Sequence, residues 1–132
     1  MAINAIATAV RDSMCDALVD ALDAGSAGGT LEIYSAAEAA QLAILTFSTT
    51  AFGSSSSGTA TAAAITDETS AVASGTAAEF IASSSNAADT PLTTVFKGSV
   101  GSGSGDIDLN TVGITIGDTV SITSMTITMP AS

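Results

Sequence analysis

The chain has 132 residues, 13 of them acidic and 2 basic, with one cysteine and no histidine. This length suits a single domain with one core. With two basic residues and a net charge of −11, the chain lacks the clustered cations that bind nucleic acid or an anionic membrane surface. A lone cysteine excludes an intramolecular disulfide, and no apolar run approaches the ~20 residues of a membrane span.

Residues 3–24 predict an amphipathic α-helix, because apolar side chains recur on one face at steps of three and four. That face comprises Ile3, Ile6, Ala7, Val10, Met14, Leu18 and Leu22. Four aspartates fall on the opposite face, which we expect to be solvated, and Gly25 suits the left-handed C-cap. Because Asp12, Asp16 and Asp20 repel one another at i,i+4 spacing, packing must hold the helix, either on its own sheet or on a neighbour.

The helix also supplies the predicted partner-binding surface. Arg11 lies beside the apolar face, where its side chain either snorkels to solvent or pairs with a carboxylate of the sheet or of a neighbouring chain. Cys15 is expected to be a small buried apolar residue. The predicted partner-binding residues are Ile3, Ile6, Val10, Arg11, Met14, Leu18 and Leu22.

Beyond residue 29 the pattern changes to short strands and turns. Alternation predicts a strand at 30–35, and the β-rich surroundings favour a strand over a helical turn at 42–47. Residues 53–58 are expected to form a flexible loop. Further strands are predicted at 59–65, 76–83, 92–100, 106–110, 114–116 and 120–129, with loops at 66–75 and 84–91 and a mobile hairpin tip at 101–105.

The last strand changes phase along its length. Val120 and Ile122 point to one side by alternation, whereas Met125 and Ile127 point to the other. Either a β-bulge or a strand that passes from one sheet to another at a corner produces such a shift. Pro130 is then expected to end the pairing.

Together these elements predict a mainly β fold with two parts. Residues 1–25 are the N-terminal amphipathic α-helix, and residues 26–132 are an antiparallel β-sandwich of the jelly-roll or immunoglobulin-like kind. About seven or eight short strands, with turns about ten residues apart, are typical of that architecture. The βαβ alternation of a parallel sheet is lacking.

The residue inventory does not predict an active site. Without histidine, a serine nucleophile would have to use Lys97 as its base. Paired carboxylates such as Asp67 and Glu68 lack the aromatic platforms of a sugar cleft. We therefore expect a protein that is not an enzyme and that needs no cofactor.

Asp106 and Asp108 look like the start of a calcium loop. Thr111 stands where such a loop needs glycine, and Gly117 where it needs glutamate. Alternation around Ile107 instead predicts a strand with its acids outward, so no metal site is expected. If a cation does bind, Asp106 and Asp108 are the first candidates.

Four segments, in order, carry a family resemblance. They read AINAIATAVRDSMCDALVDALDAGSAGGTLEIYSA, TAAEFIASSS, VFKGSVGSGSGDIDLN and IGDTVSITSMTITMPAS. Together they resemble small virion proteins of tailed bacteriophages, and residues 49–74 resemble them least. The resemblance implies a virion component, either a capsid decoration (cement) protein or a tail or neck accessory. It carries over no functional residue.

We therefore expect a structural virion protein that is made in the host cytoplasm, since the N-terminus lacks a signal-peptide layout. Its partners would be other virion proteins, foremost the major capsid protein, with homo-oligomer formation left open. Deleting residues 1–24 should then abolish incorporation into particles.

Two alternatives stay open. The first is a tail, neck or fibre accessory, which would be present in few copies per particle rather than many. The second is a glycan-binding surface sandwich, which needs an aromatic platform in a groove. The chain offers only Tyr34 and four phenylalanines for that purpose, and the phenylalanines are expected to lie in the core.

Overall fold

The structure, a computed structural model, describes residues 3–24, 28–84, 94–103 and 105–131. The predicted mainly β chain with one N-terminal helix is confirmed. The elements are α1 (Thr8–Leu22), β1 (Thr30–Tyr34), a 3-10 turn (Ala36–Glu38), β2 (Gln41–Phe47), β3 (Thr59–Thr61), β4 (Ile65–Thr66), β5 (Gly75–Thr76), β6 (Glu79–Ser83), β7 (Thr94–Gly101), β8 (Ile107–Asp108), β9 (Gly113–Ile114) and β10 (Thr126–Thr128).

The helix is shorter than its apolar pattern predicts. It begins at Thr8, because the segment before it bonds to the other end of the chain, where the Ile6 amide donates to the Ala131 carbonyl over 2.7 Å. It ends at Leu22, and the Asp23 amide closes the last turn on the Val19 carbonyl. The predicted glycine cap at residue 25 lies outside the described residues.

Six strands form one curled, mixed sheet in the order β4-β2-β1-β6-β7-β8. The pairs from β4 to β7 are antiparallel, and β7 with β8 is parallel. Two small antiparallel pairs, β3 with β10 and β5 with β9, complete the pairing of these strands. The finer assignment to a jelly-roll or immunoglobulin-like sandwich stays a prediction.

Several strand bounds differ from those expected. The strand predicted at 59–65 is divided into β3 and β4, and the one at 76–83 into β5 and β6. The alanine-rich stretches between them have no large side chain that must stay in register with a neighbour, which leaves the backbone free to change partner. The predicted loop at 84–91 and the start of the strand at 92–100 lie mostly outside the described residues.

The turn between β7 and β8 is not the hairpin that its glycines suggest, because the two strands run parallel. The chain folds back over the end of β7, and the Leu109 amide donates to the Gly101 carbonyl over 3.1 Å. A Cβ atom on Gly105 would lie 2.3 Å from the Gly101 nitrogen. Parallel neighbours usually need a connection of about a dozen residues. Here β7 and β8 share only two residue pairs, and the connection between the strands is much shorter than that.

The phase shift near the C-terminus marks a change of partner, as one of the two interpretations predicts. Val120 bridges to Glu68, and Ile122 bridges to Leu109. The chain then leaves these partners, and β10 pairs with β3 in a separate two-stranded sheet. Pairing in β10 ends at Thr128, ahead of the proline.

The core joins the helix to the sheet. Cys15, Val19 and Leu22 are buried in the same apolar cluster as the inward-facing strand residues Leu31 and Ile33. The predicted burial of Cys15 is therefore confirmed, and α1 packs on its own chain through this inner side. Phe47, Phe52 and Phe80 are buried in the cluster and Phe96 packs at its edge, as expected of core aromatics.

Candidate attachment surface on α1

The predicted apolar face of α1 is divided between core and solvent. A step of four residues turns a helix by about 400°, so each step displaces the side chain by about 40°. From Val10 through Met14 and Leu18 to Leu22, the row therefore winds by about 120° around the helix. Val10 and Met14 are 51% and 41% exposed, whereas Leu22 is fully buried.

The predicted partner-binding set is corrected accordingly. Leu22 lies in the chain's own core and is not available to a partner, while Ile6 and Leu18 are half-buried. Ile3 is 60% exposed ahead of the helix. We call Val10, Met14, Ala17 and Ala21 the outer face of α1, since all four are exposed and follow one another at steps of four, three and four residues.

Three of the four aspartates predicted to be solvated accept hydrogen bonds from a neighbouring loop. Asp12 and Asp23 are half-buried there, so the prediction is wrong for these two, whereas Asp16 is exposed as expected. The pairs are Asp12 Oδ1 with the Gly58 amide (2.6 Å), Asp16 Oδ1 with the Ser55 amide (3.3 Å) and Asp23 Oδ1 with the Ala51 amide (2.9 Å). Backbone N–H groups in a loop need acceptors, and carboxylates make strong ones. The serine-rich loop 51–58 is thus fastened along one side of α1.

Gly58 is the tightest point of this junction. Ser56 and Thr59 bond to each other across it, and both Ser57 and Gly58 have positive φ, as a two-residue hairpin turn requires. A Cβ atom on Gly58 would lie 3.1 Å from both Cβ and Nη1 of Arg11. A side chain at this position would therefore strain the turn, because φ is 77°, and would press on Arg11.

Arg11 lies against the Gly58 turn of loop 51–58 and forms no ion pair with a carboxylate of the described residues. Its Nη2 donates to Thr8 Oγ1 over 3.2 Å. Its Nε is buried and has no hydrogen-bond partner among the described residues. The sheet carboxylate that the sequence suggested as a partner is not in contact with Arg11 in the described part of the chain.

A groove of about 260 Å³ runs between α1 and the anchored loop. Its lining includes Asp16 and Asp20 of the helix, Asp23 at the helix C-cap, Ser54 of the loop and Thr50 just before it. We call it the acidic groove. Asp20 lies one helical turn after Ala17, so the acidic groove borders the outer face of α1.

A second apolar feature, which we call the apolar knob, is formed by Val72 and Ile116. They are 50% and 65% exposed. Ile116 was expected to continue a strand, but it sits in a tight turn in which the Asp118 amide bonds to the Thr115 carbonyl. Gly117 follows it at φ 91° and bonds to the loop that carries Val72. Both side chains are therefore displayed from loops that brace each other.

The described part of the chain has another cleft, of about 340 Å³, between residues 61–65 and 122–125. None of the side chains that line it is titratable. Among the described residues no group of three or more acidic or cysteine side chains is placed to hold a metal ion. The helix of the described residues, α1, is too short and too polar to cross a bilayer.

Asp106 and Asp108 each accept hydrogen bonds from backbone amides through one carboxylate oxygen. Asp106 Oδ2 accepts from the amide and the hydroxyl of Ser99 over 2.8 and 2.9 Å. Asp108 Oδ1 accepts from the amides of Gly103 and Gly105 over 2.8 and 3.4 Å. The Ser99 amide, and then its hydroxyl, lower the pKa of Asp106 below its ordinary value. Ile107 is buried between them, as the predicted strand requires.

The residues considered for catalysis do not converge. Lys97 Nζ donates to Glu38 Oε1 over 2.6 Å at an exposed position. That hydrogen bond raises the pKa of Lys97, which works against a role as a neutral base. The Glu68 carboxylate accepts hydrogen bonds from the Ser70 amide and from the amide of Ile44 in β2.

The aromatic residues do not assemble a platform. Tyr34 lies half-buried on the outer side of β1, where its hydroxyl accepts from Gln41 Nε2 over 3.3 Å. The same Gln41 group donates to Glu32 Oε1, and Ser83 Oγ donates to Glu32 Oε2. Phe96 packs edge-to-face on Phe80, at the margin of the core. Tyr34 therefore pairs with no other aromatic ring of the described residues, which a sugar-binding platform would need.

Sequence reasoning missed two parts of this surface. The aspartate anchors join residues that are far apart in the chain, and the clustered serines and glycines of loop 51–58 were the one signal that its amides need acceptors. The winding of the apolar row could have been read from its repeated steps of four. Compared with known proteins, the chain matches no protein-family model, no curated protein and no solved structure.

Proposed function

We propose that this chain is a non-enzymatic structural protein of a bacteriophage virion, which decorates the capsid by binding the major capsid protein through the outer face of α1. The observation that carries the proposal is the exposure of Val10 and Met14 on a helix that is fixed from its other side. The inner side of α1 is held by Cys15, Val19 and Leu22 in the core, together with the aspartate anchors.

Single exposed apolar residues are common on protein surfaces, but a contiguous row marks an interaction site more often. Val10 and Met14 follow each other on one face and are continued by Ala17 and Ala21. Fully burying an exposed valine or methionine side chain contributes about 1.5–3 kcal/mol, and roughly half of that remains to be gained here, since Val10 and Met14 are 51% and 41% exposed. A partner that covers this row would therefore recover stabilisation that the isolated chain lacks.

The sequence resemblance supports the virion as the place where this surface binds its partner. It suggests a component of the virion, either a capsid decoration protein or a tail or neck accessory. A tail, neck or fibre position is compatible with the same surface, whereas a homo-oligomer would form through another surface of the chain. Copy number per particle distinguishes a decoration protein from these accessories.

The test is the copy number of the chain on purified particles, measured by quantitative mass spectrometry. We expect many copies for the wild type, far fewer for a Val10→Gln/Met14→Gln double variant, and an unchanged number for Val72→Gln. Point changes suit this test better than deletion of residues 1–24, which would also remove three core residues. Absence of the wild-type chain from particles would refute the proposal, and a low copy number would favour the tail or neck alternative.

A further inference from the structure

We propose that the partner element covering the outer face of α1 is itself an α-helix, apolar where it meets α1 and basic along the side that meets the acidic groove. This inference rests on the proposed attachment through α1 and specifies the chemistry of its partner.

The spacing of the outer face points to a helix as the occupant. Val10, Met14, Ala17 and Ala21 follow at steps of four, three and four, which is the seam along which one helix meets another. Val10 and Met14 provide side chains that project into a partner, and the two alanines let a second helix approach closely.

The acidic groove gives the partner its charge. Asp16 and Asp23 each bond one loop amide, and Asp20 is exposed and accepts no hydrogen bond from a described residue. The one salt bridge among the described residues, Lys97 with Glu38, lies elsewhere. Negative charge along one flank of the outer face therefore favours a lysine or arginine in the partner and disfavours a carboxylate.

A second copy of this chain fits that charge pattern poorly. Each copy brings a net charge of −11, so pairing would place two strongly acidic surfaces together. Of the two cations of the chain, Lys97 is already paired with Glu38, so a second copy could offer only Arg11 to the acidic groove. The occupant is therefore a helix of a different protein.

The probe for this inference is a pair of synthetic helical peptides of three heptads with the same leucine seam. One carries lysine at the flanking positions and the other carries glutamate. Isothermal titration of the full chain should give at least about tenfold tighter binding of the lysine peptide, a difference of about 1.4 kcal/mol. Its affinity should fall as salt is raised.

Matched variants separate this site from general attraction between opposite charges. Met14→Gln should weaken lysine-peptide binding about tenfold, whereas Val72→Gln, also at an exposed apolar residue, should leave it unchanged. Asp20→Asn should weaken it more than Asp67→Asn, although both remove one negative charge from an exposed position.

Equal losses within either matched pair would overturn the inference. Equal affinity for the two peptides, or binding of neither, would also do so. A dimer of the chain that Met14→Gln disrupts would overturn it in favour of a second copy. These results leave the attachment itself standing if the chain is found on particles and its copy number falls in the Val10→Gln/Met14→Gln variant.

Discussion

The carboxylate of Asp12 and the amide of Gly58 are joined by a 2.6 Å hydrogen bond that connects α1 to a turn 46 residues further along the chain. Gly58 in turn accepts a hydrogen bond from the Met129 amide through its carbonyl. One glycine therefore links the helix, the serine-rich loop and the C-terminal strand region. The outer face of α1 is rigidly presented because its inner side is fastened in this way.

Removal of the Asp12 carboxylate should loosen this junction. We expect Asp12→Ala to lower the free energy of unfolding by about 1–3 kcal/mol, since the Gly58 amide loses a charged acceptor. Asp20→Ala is the matched control. It removes the same group from an exposed position without a hydrogen bond to the described residues, and should change stability by less than about 0.5 kcal/mol. Urea denaturation measures both, and equal effects would contradict the anchoring role.

Leu22 and Met14 should respond oppositely to truncation, although the apolar pattern places them in one row. Leu22→Ala should cost about 2–5 kcal/mol because it opens a cavity in the core. Met14→Ala should cost about 1 kcal/mol or less in the isolated chain, since its side chain is 41% exposed. Chemical denaturation of the two variants checks this. Comparable losses would mean that Met14 is packed against its own chain.

Gly98 should not tolerate a side chain. A Cβ atom there would lie 2.5 Å from Cε1 of Phe80, a ring that is buried and pressed edge-to-face on Phe96. We expect Gly98→Ala to destabilise the fold by about 1–3 kcal/mol through overpacking. Gly113→Ala, at a strand position with nothing within 4 Å of the added atom, should be neutral within about 0.5 kcal/mol. Thermal unfolding of both variants tests the close approach.

Asp106 should make the fold sensitive to acid. Its pKa in the folded chain is below the ordinary value, because the Ser99 amide and hydroxyl bind the charged form. Its contribution to stability is therefore present above about pH 4 and is lost as the pH falls through the folded-state pKa. Ser99→Ala should move the Asp106 pKa back towards its ordinary value, as followed by NMR titration. The neighbouring Ser102→Ala should leave it in place, and an unshifted Asp106 in Ser99→Ala would refute the assignment.

Local patterns predicted the strands better than they predicted the packing of the elements. Leu31 and Ile33 alternate with Glu32, and this period of two is a property of the strand alone, so β1 was predicted within one residue. The start of α1 at Thr8 follows a segment in which the Ile6 amide bonds to Ala131, and no local sequence pattern encodes that contact. The parallel pairing of β7 with β8 was missed because glycine-rich turns usually join antiparallel strands.

The candidate surface was predicted in part, for a related reason. Ile3, Val10 and Met14 lie in solvent, as a partner-binding row requires, but Leu22 does not, because steps of four turn the row into the core. The helix thus has two apolar sides, one towards Cys15 and one towards Met14. A sequence pattern alone cannot tell which of two such sides the chain covers with its own sheet.

The most direct test of attachment through α1 uses the unaltered chain and its methionines. Met14 is 41% exposed and Met125 is 4% exposed, so peroxide should oxidise Met14 faster in the free chain. When the chain is bound to particles, Met14 should become protected while the slow oxidation of Met125 stays the same. Oxidation of Met14 at the same rate in the free and particle-bound chain would contradict the account.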